Sequence, residues 1–246
     1  MDDALSGPGL TSDLSRLRLR FDSETSLVAM DADDEPAVLE WQCHAVLPLW
    51  EPEDEGAVAD NIRLSVPDAS LSRSSQGERE ELTVFAMSGL TLDLGRIDRI
   101  YDSLDARSSD YEHFARLFDP SGDMGLHPDF EEGLIVGAHV VIIDRVRLAP
   151  AWRGHGGIGR LLIARSLRWL ASSAALVATH PFPIEIPLDD RDDEPRVERE
   201  KASVQRTWQS LGFEPFREDL WVMKPHLRAH QDAAEQLEAA FSQYLV

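Results

Sequence analysis

The run from 133 to 148, "GLIVGAHVVIIDRVRL", constrains the fold more than any other stretch. It is rich in β-branched residues, begins as a continuous apolar run and is closed by Pro150. A strand apolar on both faces must be covered on both faces, so it belongs at the centre of a sheet. A glycine-crowded turn, "WRGHGGIGR", comes next, and then apolar positions Ile158, Leu161, Leu162, Trp169 and Leu170 at helical spacing. The segment "AALVATHPF" reads as another buried strand, "KASVQRTWQSLGF" as a helix stopped by Gly212, and "EPFREDLWVMKP" as one or two closing strands. Strand, turn, helix, strand, helix, strand is an α/β order.

The rest of the chain divides around this unit. Residues 1–13 read as a loose tail. Residues 14–94 form a β-rich N-terminal extension, with strand-like runs "LRLRF", "AVLEWQCHAVLPLW", "NIRLSV" and "ELTVFAMSGLTLDL". The core spans 95–225; it opens on helical spacing through Tyr101, Tyr111, Phe114 and Leu117 and includes an acidic connection, "IPLDDRDDEPRVERE". Residues 226–246 make an amphipathic helix through His230, Ala234, Leu237, Phe241 and Tyr244. That helix either docks on its own domain or makes a homodimer contact; the spacing allows both.

Charge and cysteine usage narrow the partners. With 45 acidic against 24 basic side chains, the formal net charge is −21, which disfavours nucleic acid and anionic membrane surfaces. The one cysteine, Cys43, excludes an internal disulfide. Cys43 and His44, adjacent on a strand, point to opposite faces and make a poor metal pair, so Cys43 reads as a core residue. The start, "MDDALSGPGLTSDL", carries no signal-like apolar region, and no apolar run is long enough to span a bilayer. The expectation is a cytoplasmic protein.

A tight glycine turn between a strand and a helix exposes backbone N–H groups at the positive end of the helix dipole, where a phosphate is favoured. Arg153 and Arg160 bracket this turn. A phosphate loop ending in Gly-Lys-Ser/Thr is absent, and the dinucleotide fingerprint would require the turn after the first strand of its unit.

"VRLAPAWRGHGGIGRLLI" resembles the acyl-CoA-binding motif of the GNAT superfamily of N-acetyltransferases, and "TWQSLGFEPF" and "LWVMKP" resemble its later helix and closing strand. The resemblance covers about residues 133–225. It implies the GNAT fold, a mixed central sheet flanked by helices, here with the extended β-rich N-terminal part, and acetyl transfer from acetyl-CoA to a small-molecule or protein amine. It implies that Val146, Arg147 and Leu148 meet the pantetheine arm. It further implies that Arg153, Gly154, Gly156, Gly157, Ile158, Gly159 and Arg160 meet the pyrophosphate. Relative to the family pattern the turn has one extra residue, Gly157. The family's acidic tyrosine, four residues before the "GF" glycine, is replaced by Trp208, whose indole is a donor but no proton-transferring acid.

Amine acetylation needs a base, and Asp144 and His180 are the candidate catalytic residues. Asp144 within "VVIIDRV" either activates the amine or pairs with Arg145, Arg147 or a backbone amide; His139 is a further histidine on the same strand. The alternative to an enzyme is a catalytically silent GNAT-like module that binds acyl-CoA or a protein partner.

Overall fold

The computed structural model describes residues 14–24, 38–48, 71–73, 80–95, 104, 109–119, 125–130, 137–183 and 193–242. The strands are β1 (Arg18–Glu24), β2 (Val38–Pro48), β3 (Leu71–Arg73), β4 (Glu80–Asp93), β5 (His139–Leu148), β6 (Ala174–Thr179), β7 (Glu214–Pro215) and β8 (Trp221–Met223). The helices are α1 (Ser109–Glu112), which runs into a 3-10 segment at His113–Leu117, then α2 (Ile158–Leu170), α3 (Glu194–Gln209) and α4 (Arg228–Phe241). The strands form one mixed sheet in the order β1-β2-β4-β5-β6-β8-β7, with β3 paired to β4 off this path. Among the described residues only β5 and β6 run parallel; every other pairing is antiparallel. The expected α/β class and the central place of β5 are therefore found.

Period-two alternation sends side chains of each strand to two separate cores. On one face, Trp41, Cys43, Met87, Val141 and Ile143 pack against Ile158, Leu161, Leu162, Trp208, Leu237 and Phe241 from α2, α3 and α4. On the other, Leu90, Leu92, Val140, Ile142 and Leu176 meet Leu104, Phe114, Leu117, Phe118 and Phe130. The doubly apolar β5 is thus sandwiched between layers, as its composition requires.

Several boundaries differ from the sequence reading. The strand beginning at 133 starts at His139, and residues 133–136, like "NIRLSV", lie outside the described residues. The helix at "KASVQRTWQSLGF" begins earlier, at Glu194, inside the stretch expected to be an acidic connection. Asp193 caps it by accepting from the Arg196 N–H at 3.2 Å, and Pro195 occupies the first turn, where its missing N–H is not needed. The C-terminal helix α4 packs on α2 of its own chain, burying His230, Leu237 and Phe241. Among the described residues, no helix is long and apolar enough to cross a membrane.

Cys43 and His44 do point to opposite faces: Cys43 is fully buried with its Sγ 3.2 Å from Ser166 Oγ, while His44 is half-buried and 3.8 Å from Asp22. Burial pushes the Cys43 thiol from its ordinary 9.0 up to about 11. A raised thiol value means the folded state holds its proton longer than the unfolded one, so its contribution to stability is present below pH 9 and lost as pH rises to about 11. Native protein is expected to leave a disulfide thiol reagent unreacted at pH 8, with one equivalent consumed on denaturation. Loss of stability above pH 9 should shrink in Cys43→Ala.

Gly89 on β4 stands directly opposite Trp41 on β2 in the antiparallel register. A Cβ there would sit 1.9 Å from the Ile142 carbonyl oxygen and 2.7 Å from Trp41 Cζ2. Both obstacles belong to the packed sheet, so Gly89→Ala should cost about 3 kcal/mol, read by urea unfolding.

Candidate functional site

The site is made where β5 and β6 stop being partners. Their parallel register runs from His139 to Ile143 on β5 and ends at the pair Ile143–Thr179. The Thr179 hydroxyl donates to the Ile143 carbonyl at 3.2 Å and pins this last rung. On its other edge β5 continues beside β4 as far as Leu148–Phe85, but the register slips: Ser88 pairs with Arg145, Gly89 with Ile143, and Asp144 is left over as a bulge. A bulge bends its strand and increases twist. Beyond Ile143, the edge of β5 that faced β6 has no strand partner among the described residues.

The gap opens into a cleft of about 610 Å³. Asp144, Val146, Arg147 and Leu148 form one side, Thr179, His180, Phe182 and Pro183 another. The glycine turn and the start of α2 contribute Arg153, Gly154, Gly157, Gly159 and Arg160. Helix α3 lays Arg196, Glu200, Val204, Thr207 and Trp208 along the remaining wall. Four arginines face two carboxylates in the lining, within a chain of net charge −21. The cleft is locally inverted in charge.

Three glycines of the turn have left-handed backbones: Gly154 at φ 76°, Gly156 at φ 64° and Gly157 at φ 106°. They reverse the chain sharply enough for α2 to begin at the end of β5. No side chain caps α2, since its N-cap is Gly157 itself, and no acidic residue lies in its first turn. The N–H of Ile158 is bonded to the His155 carbonyl at 3.4 Å, but those of Gly159 and Arg160 have no acceptor within the helix. Both residues line the cleft, so the start of α2 and its dipole lie beside Arg153 and Arg160.

The extra glycine has a definite place. Arg160 folds back across Gly157, so that a Cβ on Gly157 would lie 2.6 Å from Arg160 Nη2 and 2.9 Å from Nε. From there Arg160 Nη1 reaches Ser210 Oγ, at the end of α3, at 3.4 Å. Gly157, the N-cap of α2, makes room for this arginine. Arg153 turns the other way and donates through Nε to the Leu148 carbonyl at 2.8 Å.

Of the twelve site residues expected from sequence, ten line the cleft. Gly156 and Ile158 do not. Gly156 faces α4, where a Cβ would meet the Phe241 ring at 3.7 Å, and Ile158 is buried in the core. His139 sits at the opposite end of β5, across from Asp93 and Ala174. Asp144 is 3.4 Å from Arg145 Nε, so the expected ion pair is present in a residue that also lines the cleft. Trp208 is buried in the cleft wall with its ring edge-on to Phe213 at 4.9 Å. Tyr111 packs by Phe114 in the other core, and Tyr101 and Tyr244 lie outside the described residues, so no described tyrosine reaches the cleft.

The sequence reading missed the α3 wall. Arg196, Glu200 and Val204 recur every four residues and so share one helix face; the Asp193–Pro195 start signal was the clue to that helix. Comparison with known proteins yielded no matching family model, curated protein or solved structure.

Gly157→Ala should both strain the backbone and displace Arg160. The expected loss is about 1–2 kcal/mol of stability in thermal or urea unfolding. Gly154→Ala, with nothing within 4 Å of its Cβ, isolates the backbone part of that loss.

Proposed function

We propose that the protein is a GNAT-type N-acetyltransferase that transfers an acetyl group from acetyl-CoA to an amine. The observation that carries this reading is the meeting of three features in one cleft: a parted strand edge, an uncapped helix start at a glycine turn, and an arginine-rich lining in an acidic chain. A parted strand edge turns toward an amide-bearing arm such as pantetheine the side that β6 no longer covers, and Val146 and Leu148 give that arm apolar walls. The amides of Gly159 and Arg160, with Arg153 and Arg160 side chains, suit a pyrophosphate.

At neutral pH an amine acceptor arrives as an ammonium ion. His180, at the point where the strands part, takes its proton; imidazole is the side chain best suited to this near pH 7. Asp144, held beside Arg145, attracts the ammonium. The freed amine attacks the thioester carbonyl, the C–N bond forms and the C–S bond breaks; the attached nitrogen releases its second proton to water and the thiolate takes one from water, because Trp208 is no acid. Overall one ammonium and one acetyl thioester give an amide, a thiol and a proton. Trp208 also favours the second reading, a silent module that binds acyl-CoA without turnover.

Titration calorimetry with acetyl-CoA should give micromolar-scale binding, about −8 kcal/mol. No heat and no thermal shift at millimolar ligand would sink both readings of the cleft. On an amine panel, His180→Asn should lower kcat by about 100-fold with acetyl-CoA binding unchanged. Asp144→Asn should raise KM for the amine. Binding without turnover on any amine would leave the silent module.

A further inference from the structure

We propose that Glu218, Arg116 and His113 form a positioning line behind His180, which fixes the ring that takes the acceptor's proton; this rests on the acetyltransferase reading. None of the three lines the cleft, so each acts through its neighbour. Two rings from different places lie against that of His180. Phe182, at 6.0 Å, is local and is set by its own N–H, which donates to the His180 carbonyl at 2.8 Å. His113, at 5.3 Å and 34°, comes from the opposite layer.

His113 and Arg116 belong to the same 3-10 segment, in which residues three apart eclipse. Arg116 Nη1 accordingly lies 3.0 Å from His113 Nδ1. A guanidinium can only donate, so Nδ1 must accept, and the ring proton is on Nε2. This selects one neutral tautomer of His113. A neutral neighbour adds no like-charge repulsion when His180 takes up a proton. Arg116 is in turn held by Glu218, whose Oε2 is 3.0 Å from Nη2.

Glu218 is the one non-glycine described residue with a left-handed backbone, at φ 49°. Such a conformation is strained for a non-glycine residue and persists where the surroundings over-determine it. They do so here. In the turn between β7 and β8, three consecutive side chains reach three different elements: Arg217 reaches Asp129 before β5, Glu218 reaches Arg116, and Asp219 reaches Lys201 of α3 at 2.7 Å. The same α3 carries the cleft wall of Glu200, Val204 and Trp208. One strained turn thus ties the α3 wall and the His180 support together.

A double-mutant cycle with a separate structural readout tests the line. Arg116→Met should lower kcat about tenfold with KM for acetyl-CoA unchanged, and Glu218→Gln about threefold. His113→Phe keeps a ring beside His180 but has no Nδ1 for Arg116 to hold, so adding Arg116→Met to it should cost nothing further. Independently of turnover, 15N spectra of the imidazoles should show His113 as the Nε2–H tautomer, with that single tautomer lost in Arg116→Met. An equal cost of Arg116→Met in both backgrounds overturns the proposal, as does His113 in the Nδ1–H form. Should the wild type fail to bind acetyl-CoA, the acetyltransferase reading falls, and the spectra still decide whether the line exists.

Discussion

Everything at the candidate site depends on a single failed pairing. Parallel strands β5 and β6 are joined over five rungs and then separate after Ile143–Thr179. The bulge at Asp144 supplies the bend, because one extra residue on β5 must be absorbed while β4 keeps its hold on both sides of it. The parting also coincides with the end of β6 itself, whose last residue is Thr179. With the bend, the end of β5 and the start of α2 line one cleft, so the parted edge and the helix dipole come to the same space.

The layers explain why the gap stays open. The β5 residues leading into the bulge are anchored: Val141 and Ile143 in the helical layer, Val140 and Ile142 in the opposite one. Burial of such side chains is worth about 1.5–3 kcal/mol each, which outweighs the net contribution, about 0.5–1.5 kcal/mol, of a backbone hydrogen bond left unmade at the parted edge. Helix α4 adds a brace by laying Phe241 against Gly156, while Arg160 spans from Gly157 to Ser210. The turn is therefore held from both sides, by packing on one and a polar contact on the other.

Much of this was legible locally. The β-branched run, the alternating N-terminal strands and the helix at Ile158 come from side-chain periodicity, which tertiary contacts only reinforce. The glycine turn was legible as well, since crowded glycines before a helical pattern imply left-handed backbone. The charged composition of α3 resembles a loop; the Asp193 cap and Pro195 decide its start, with Val197 the other apolar residue of its first turn. Gly156 and Ile158 were assigned to the cleft by their place in a motif, but within a turn successive residues face different ways, and only the folded chain decides which.

The sequence by itself determined the α/β class, the central strand, the turn and the helix after it, because these depend on neighbours three or four residues away. Tertiary structure alone decided three things. The bulge at Asp144 depends on register against β4, and register is a relation between segments distant in the chain. The contact of His113 with His180 joins two layers. The inverted charge of the cleft arises because Arg147, Arg153, Arg160 and Arg196 converge from a strand, a turn and two helices. At physiological salt the screening length is about 8 Å, so these converged charges govern the cleft more than the −21 of the whole chain.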